Sequence, residues 1–273
     1  KISGKSKAEK IKSLKKVYIP ISFWIVNKYK KKDKILFLGL CGGQGSGKTT
    51  IARILKIILK KFFKREIYVS SIDDFYKTLK DRNKISSSIH PLFKIRGVPG
   101  THDTNLIKKF LIYIRKKNFR KFKIPKFDKS TNERFKKKYW HIINKRPEIV
   151  ILEGWCVGAK PQSNSIIKRP VNILEKYEDK NLVWRKHVNK KLKNEYKKIF
   201  SIIDHFIFMK IPNFDLVFKW RLLQENKLKK KSQFKKKIMS YNEIRRFIMF
   251  YQRITLQMIK DLSKSASIMM LLK

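Results

Sequence analysis

Continuous apolar runs and helical apolar spacing alternate along the chain. The continuous runs predict β-strands at residues 35–40, 66–72, 148–152, 205–209 and 266–272, of which those at 35–40 and 148–152 have the pattern of buried strands. Apolar residues recur at the spacing of one helix face at residues 48–63, 104–117, 171–201, 214–231 and 241–262. Strands that alternate with helices favour an α/β fold, in which a mostly parallel central sheet is covered by helices on both faces.

The region before the first strand predicts how the chain is divided. Residues 7–30 have the pattern of a helix that is interrupted near Pro20. We therefore predict an N-terminal helical extension at residues 1–34, followed by one domain at residues 35–273.

Long connections separate some of the predicted elements. Residues 77–101 are rich in Ser, Gly and Pro, residues 118–147 are basic and irregular, and residues 158–170 have the composition of a loop. Connections of this length inside a compact domain usually carry function. We expect residues 77–147 and 158–201 to supply lid and substrate-binding segments.

A glycine-rich segment between the first strand and its helix matches the phosphate-binding loop G-x-x-x-x-G-K-[ST]. The candidate nucleotide-binding residues are Gly42, Gly43, Gln44, Gly45, Ser46, Gly47, Lys48, Thr49 and Thr50. Glycines let backbone N–H groups turn toward a phosphate, and the helix N-terminus adds its positive dipole end. We expect Lys48 to reach the β- and γ-phosphates of ATP and Thr49 to hold Mg²⁺. The predicted fold is therefore a three-layer α/β fold of the P-loop NTPase type.

Carboxylates follow two of the predicted strands. Asp73 and Asp74 come after the second strand, and Glu153 ends the strand at residues 148–152. The carboxyl ends of parallel strands form the edge where open α/β folds bind ligands. Asp73 is the candidate general base for an attacking hydroxyl, while Asp74 either supports it, supports the metal or caps a helix. Glu153 is the candidate Mg²⁺ ligand, with a salt bridge to a lysine as the alternative.

Composition and charge narrow the possible partners. The chain has 273 residues, 42% of them hydrophobic, and contains no run of about 18 apolar residues, so we expect a full core and no membrane partner. Two cysteines without metal spacing predict reduced thiols and the cytoplasm. The net charge is +49, but Arg accounts for only 14 basic residues and Lys for 55.

Lysines spread along the whole chain are typical of drift at solvated positions, whereas base recognition uses arginine freely. We therefore expect no specific nucleic-acid partner, with a polyanion-binding surface as the alternative. The sequence carries no sign of the oligomeric state.

Further motifs make a family resemblance specific. They are residues 71–76, 96–103, 125–130, 152–155, 220–225 and 239–255, together with Asn172, Leu174, Glu175, Trp184, Arg185 and Asn189. With these motifs and its phosphate loop, the chain resembles the D-glycerate 3-kinase family, which is related to uridine kinase, phosphoribulokinase and pantothenate kinase. The chain departs from the family where a Gly-Asp-Arg element is usual, because Asn132, Glu133 and Arg134 stand there.

The resemblance implies an ATP-dependent small-molecule kinase in which Asp73 is the base and Glu153 binds Mg²⁺. It also implies a lid arginine on the basic helix, for which Arg221 is the catalytic candidate. The candidate substrate-binding residues are Asp74, Tyr76, Arg96, His102, Asp103, Arg134 and Arg185.

The acceptor implied by the resemblance is a small hydroxy acid, D-glycerate, phosphorylated at its 3-hydroxyl. Arg96, Arg134 and Arg185 are candidates to bind its carboxylate, because guanidinium groups bind carboxylates with two hydrogen bonds. Two alternatives remain open, namely a kinase for a nucleoside, pantothenate or a sugar phosphate, and a basic ATP-binding protein associated with nucleic acid.

Overall fold

A five-stranded parallel sheet forms the centre of the protein. The computed structural model describes residues 6–32, 34–231 and 239–272, so residues 1–5 of the predicted extension lie outside the described residues. The strands are β1 (Leu36–Gly42), β2 (Ile67–Ser71), β3 (Phe122–Ile124), β4 (Phe127–Asp128), β5 (Glu133–Arg134), β6 (His141–Ile143), β7 (Ile149–Gly154), β8 (His205–Lys210) and β9 (Ile268–Leu271). The central sheet has the order β2-β7-β1-β8-β9, and each neighbouring pair is parallel.

Helices cover both faces of this sheet. The α-helices are α1 (Lys7–Ser13), α2 (Ile19–Lys30), α3 (Lys48–Lys61), α4 (Leu79–Ser88), α5 (Thr104–Tyr113), α6 (Asn164–Lys168), α7 (Ile173–Tyr177), α8 (Val183–Lys191), α9 (Lys197–Phe200), α10 (Asp215–Lys231) and α11 (Tyr241–Ser265). The prediction of an α/β fold with a mostly parallel, doubly covered sheet is confirmed.

Alternate residues of the central strand β1 supply two separate hydrophobic cores. Leu36, Leu38 and Leu40 join a cluster with residues of α2 and α3, whereas Phe37 and Cys41 join a cluster with residues of α5, α8 and α11. This separation follows from the pleat, since successive side chains of a strand point to opposite faces. All seven residues of β1 are buried, which explains the continuous apolar run in the sequence.

The N-terminal helices run from α1 through a π-helical turn at Leu14–Tyr18 into α2. Pro20 lies in the first turn of α2, where its missing N–H group costs little. The predicted interruption near this proline is a change of helical form, with the Ile19 N–H donating five residues back to the Leu14 carbonyl. α2 buries Ile21 and Ile25 in the cluster that contains Leu36, Leu38 and Leu40 of β1.

The connections contain more regular structure than their sequences indicate. Residues 77–101 include α4. The sequence of this helix has no apolar face, because the residue that the helix buries is Arg82. Residues 118–147 hold two short antiparallel pairs, β3 with β6 and β4 with β5. Residues 171–201, predicted as helical, are broken between α7 and α8, where Leu182 has a φ of 63°.

Candidate active site

The phosphate loop connects β1 to α3 at the carboxyl edge of the sheet. Gly47 has a φ of 89°, a left-handed conformation that side-chain-bearing residues rarely adopt. At Gly45 a Cβ atom would lie 2.8 Å from the Trp220 Cβ, so α10 packs directly on the loop. No side chain caps the N-terminus of α3, which leaves the N–H groups of its first turn available to a phosphate.

Lys48, the first residue of α3, folds back over the loop. Its Nζ donates to the carbonyl oxygens of Gly42 at 3.0 Å and Gly43 at 2.9 Å. Desolvation lowers the pKa of this ammonium group, while the nearby carboxylates of Glu153 and Asp73 act in the opposite direction. The lysine, the candidate base and the candidate metal ligand are therefore close enough to interact electrostatically.

The two candidate metal ligands are in direct contact. The Thr49 Oγ1 donates to the Glu153 Oε1 at 3.0 Å, and Glu153 is only 5% exposed. Glu153 is placed near the end of β7, where it pairs in register with Leu40 of β1 and Ser71 of β2. Parallel register therefore brings the glutamate beside both the phosphate loop and the segment that carries Asp73.

Asp73 lies in a 3₁₀ helix, Ile72–Phe75, which directly follows β2. Its Oδ1 accepts a hydrogen bond from the Tyr76 hydroxyl at 2.9 Å, and its Oδ2 accepts one from the Lys129 Nζ at 2.6 Å. Burial raises the pKa of Asp73, but the Lys129 charge and these hydrogen bonds bring the pKa below its ordinary value. The carboxylate is therefore ionised and able to accept a proton.

Asp74 has a different environment from Asp73. Its Oδ1 accepts a hydrogen bond from the Phe127 backbone N–H at 3.3 Å, which ties the 3₁₀ helix to β4. Burial and the neighbouring Asp73 charge raise the pKa of Asp74 to about 6. This contact with the β4 segment is not one of the roles that the sequence left open for Asp74, and those roles stay predictions.

Tyr76 and His102 form a buried pair beneath the base. Their rings stack with centroids 4.5 Å apart, and the His102 Nδ1 lies 2.7 Å from the Tyr196 hydroxyl. Burial lowers the pKa of His102 to about 4, so the imidazole is neutral. Tyr76 orients Asp73 by its hydroxyl, whereas His102 packs against Tyr76.

The Arg96 side chain contacts the turn between β4 and β5. One guanidinium nitrogen donates to the Asn132 Oδ1 and the other to the Lys129 carbonyl oxygen at 3.4 Å. The guanidinium also lies 5.5 Å from the centre of the Phe127 ring. Arg96 therefore stands beside the turn that carries Lys129 to the base.

Arg134 and Asp103 brace the backbone next to Tyr76. The Arg134 Nε and Nη2 donate to the Tyr76 carbonyl oxygen at 3.1 and 2.7 Å, and Nη2 also lies 3.3 Å from the Asp103 Oδ2. Asp103 caps α5 by accepting a hydrogen bond from the Leu106 N–H at 3.1 Å. Contact of either side chain with a substrate stays a prediction.

The departure from the family's Gly-Asp-Arg element has a structural basis. Asn132 has a φ of 58°, a left-handed conformation that favours glycine and that asparagine tolerates better than most other residues. The following Glu133 accepts a hydrogen bond from the Leu79 N–H at 2.9 Å, at the start of α4. The substitution therefore keeps the turn and leaves Arg134 in place.

Arg185 is placed inside the helical layer. Its Nε donates to the Ile167 carbonyl oxygen at 2.8 Å, and its Nη1 contacts the Asp179 carboxylate at 3.1 Å and the Glu175 carbonyl oxygen at 2.9 Å. The side chain is only 4% exposed. These contacts join α6, α7 and α8, so the structure gives Arg185 an architectural role, and its contact with substrate stays a prediction.

Arg221 lies on α10, one residue after the Trp220 that packs on the phosphate loop. Its guanidinium pairs with Glu225 and stacks 5.1 Å from the centre of the Phe247 ring, while its Nε has no hydrogen-bond partner. The position suits a lid helix beside the nucleotide. Its contact with phosphate stays a prediction.

Sequence reasoning missed two basic residues at the β4–β5 turn. Lys129 falls in a family motif but received no role, because only the folded chain brings residue 129 to residue 73. Arg82 is fully buried and donates to the carbonyl oxygens of Lys77 at 3.3 Å, Lys94 at 3.4 Å and Asn132 at 2.6 Å. The apolar pattern of the chain contains no signal for a buried arginine of this kind.

The residues around the loop fit a magnesium nucleotide. The buried side-chain oxygens of Gln44 and Ser46 have no hydrogen-bond partner, and the space where a Gly47 Cβ would stand is open. Among the described residues, no group of three or more His, Cys, Asp and Glu side chains could hold a metal ion by itself. A hydroxyl and one carboxylate suit Mg²⁺, which takes its remaining ligands from phosphate oxygens and water.

A parallel α/β sheet with a phosphate loop at its carboxyl edge and acids on the neighbouring strands defines a nucleotide-binding protein of the P-loop class. No protein-family model matches the chain. It is 32% identical to the uncharacterized kinase mug58 of Schizosaccharomyces pombe over 231 residues, which cover 81% of this chain and 80% of the relative. The chain belongs to this family of P-loop kinases, which includes the D-glycerate 3-kinases, and is an ATP-dependent kinase.

Two further relatives have more specific names. The chloroplastic D-glycerate 3-kinase of Arabidopsis thaliana is 28% identical over 233 residues, which cover 79% of this chain but only 48% of the plant protein. The D-glycerate 3-kinase structure from Cryptococcus neoformans matches with a TM-score of 0.73 at 26% identity, covering 88% of this chain and 87% of that one.

Within the described residues, no helix is both long and apolar enough to cross a membrane.

Proposed function

We propose that the protein transfers the γ-phosphoryl group of Mg·ATP to the 3-hydroxyl of D-glycerate. The observation that supports this most directly is that strand register brings Glu153 beside both the phosphate loop, where Thr49 contacts it, and the 3₁₀ helix that carries Asp73. A phosphate cradle, a base and a carboxylate suited to a cation are the parts that phosphoryl transfer requires. The names of the plant and fungal relatives point to D-glycerate as the acceptor.

The chain's own residues would divide the work as follows. The loop N–H groups and Lys48 bind the phosphates and orient the γ-phosphorus for attack. Asp73 takes the proton from the acceptor hydroxyl, and Tyr76 holds the carboxylate in position through its hydrogen bond to Oδ1. Thr49 and Glu153 would hold Mg²⁺, which neutralises phosphate charge when bound.

The acceptor's carboxylate needs a cationic partner, because a buried anion without one is costly. Arg96 meets this need best among the arginines predicted from the sequence. Its guanidinium donates to the turn that carries Lys129, while Arg134 donates mainly to a backbone carbonyl and Arg185 is paired inside the helical layer. The Arg221 guanidinium on α10 would cover the phosphates when this helix closes.

Two further assignments accompany this proposal. The free, buried thiols of Cys41 and Cys156 suit a reducing compartment such as the cytoplasm. Because the excess lysines are spread along the whole chain, we also propose that the protein has no specific nucleic-acid partner. Tight, sequence-selective DNA or RNA binding at physiological salt would contradict the second of these assignments.

A substrate panel tests the proposed function directly. We expect ADP release with D-glycerate to exceed release with glycerol, uridine and pantothenate, and the product to be 3-phosphorylated by mass and NMR analysis. Asp73→Asn should lower kcat by about 10²- to 10⁴-fold, because a general base contributes that much, with ATP affinity retained. Faster turnover of uridine or pantothenate would move the acceptor to another branch of the family, and full activity of Asp73→Asn would remove Asp73 as the base.

A further inference from the structure

Lys129 occupies a position that the proposed roles leave unexplained. Its Nζ lies 2.6 Å from the Asp73 Oδ2, and its side chain is 63% exposed while that of Asp73 is 25% exposed. The lysine therefore covers the base from the solvent side. An acceptor that enters from solvent meets the ammonium group before it reaches the carboxylate.

Side-chain hydrogen bonds hold the backbone of the turn that carries Lys129. Arg96 donates to the Lys129 carbonyl oxygen and to the side chain of Asn132. The Asp128 Oδ1 accepts hydrogen bonds from the Ser130 N–H at 2.8 Å and the Ser130 hydroxyl at 2.6 Å. The backbone around Lys129 is thus held by side chains, whereas its own side chain extends four methylene groups to the base and can move.

The ion pair occupies the base in the absence of an acceptor. Lys129 donates to Oδ2 and Tyr76 donates to Oδ1, so both oxygens of Asp73 carry a donor. An acceptor hydroxyl needs one of these oxygens. A neutral alcohol offers Lys129 no anion in exchange, whereas an acid offers a carboxylate, and charge-assisted hydrogen bonds are the strong ones.

We propose that Lys129 selects anionic acceptors by moving its ammonium group from Asp73 to the acceptor's carboxylate. This inference rests on the proposed function and adds the residue that determines its specificity. Oδ2 of Asp73 is then free for the acceptor hydroxyl. The O–H proton passes to Oδ2, the hydroxyl oxygen bonds to the γ-phosphorus, and the bond from that phosphorus to the β–γ bridging oxygen breaks, releasing ADP.

The dimensions of D-glycerate suit this exchange. Its carboxylate and 3-hydroxyl are separated by a three-carbon chain, or about 4–5 Å with bonds of about 1.5 Å. A lysine side chain spans a similar range by rotation alone. One acceptor molecule can therefore place its acid on Lys129 and its hydroxyl on Asp73, and Arg96 beside the same turn adds a second cation.

Lys129→Met tests the proposal, because methionine keeps the length of the side chain and removes its charge. The matched control is Lys126→Met, since Lys126 directly precedes β4 but its Nζ lies 5.1 Å from the centre of the Phe135 ring. In Lys129→Met the KM for D-glycerate should rise about 10- to 100-fold, as expected for the loss of a hydrogen bond between charged groups. The KM for ATP should change less than about twofold, and the preference for D-glycerate over glycerol should fall by a similar factor. The Lys126→Met enzyme should match the wild type in each of these measurements.

A second readout does not depend on the identity of the acceptor. Without acceptor, Lys129→Met should hydrolyse ATP faster than the wild type and than Lys126→Met, because Asp73 is then free to take a proton from water. If the wild type phosphorylates D-glycerate, an unchanged KM for D-glycerate in Lys129→Met overturns the proposal. If the wild type does not, the proposed acceptor is wrong, and ATP hydrolysis decides the role of Lys129: a rise supports it and an unchanged rate overturns it.

Discussion

Two groups of arginines in this protein have opposite relations to carboxylates. The helical cluster pairs Arg185 with Asp179 and Arg253 with Glu175, and these four residues are all buried. Each arginine there has an acid of its own. Because a buried charge is tolerated when it is paired and hydrogen-bonded, this cluster is balanced and holds α6, α7, α8 and α11 together.

The arginine group at the β4–β5 turn, formed by Arg82, Arg96 and Arg134, is built differently. Arg82 and Arg96 donate to carbonyl and amide oxygens, and among the described residues neither forms an ion pair. Only Arg134 has an acidic partner, Asp103 at 3.3 Å. The comparison shows that both arginines of the helical cluster are neutralised by acids, whereas Arg82 and Arg96 at the β4–β5 turn keep a positive charge that no acid within ion-pair distance neutralises among the described residues.

The largest effect that we predict is a loss of stability, and it tests whether the helical cluster supports the fold. Arg185→Met should lower the free energy of unfolding by about 3–5 kcal/mol, because it removes the guanidinium group that pairs with the buried Asp179 carboxylate. The KM for D-glycerate should stay unchanged. Urea unfolding followed by circular dichroism measures the first quantity and initial rates measure the second.

A matched control for Arg185→Met exists on the protein surface. Arg246 pairs with Glu178, but both side chains are more than 40% exposed, so Arg246→Met should change stability by less than about 1 kcal/mol. A rise in the KM of Arg185→Met without loss of stability would return Arg185 to the substrate site and remove the distinction between the two groups.

The next effect sharpens the comparison at the β4–β5 turn. Arg96→Met should raise the KM for D-glycerate about 10-fold, since it removes the cation that we propose as a partner of the acceptor's carboxylate, and should lower stability less than Arg185→Met does. Initial-rate kinetics measure the KM. Arg115→Met is the control, because Arg115 also stacks on an aromatic ring, 4.7 Å from the centre of Phe37. Equal KM changes in the two variants would show that stacking, and not charge at the site, carries the effect.

The smallest effect concerns the backbone of the same turn. Asn132→Ala should lower stability by about 1–2 kcal/mol, because alanine is strained at a φ of 58°. Asn132→Gly should cost less, since glycine adopts this conformation freely. Thermal unfolding of the two variants side by side gives the difference. Equal losses for the two variants would show that the hydrogen bond from Arg96 to the Asn132 side chain, which both variants lack, matters more than the conformation.

Some elements were predictable because the signal is local. The phosphate loop could be located from its glycines and Lys48, and the buried strands from continuous apolar runs. By contrast, α4 was missed because its buried residue is Arg82, and the β4–β5 pair was missed because two-residue strands carry no periodic pattern. The division at residue 34 stays a prediction, although α2 shares the core of β1.

The sequence by itself determined the class of fold, the phosphate loop and the acids at the strand ends, because each depends on neighbouring residues and on the regular geometry of strand, turn and helix. The tertiary structure decided which charged residue meets which. Arg185, Arg96 and Lys129 are similar cations in family motifs, and only folding pairs one with Asp179, places another at a turn and brings the third to Asp73. The strength of a charge interaction depends on distance and burial, and both are properties of the folded chain.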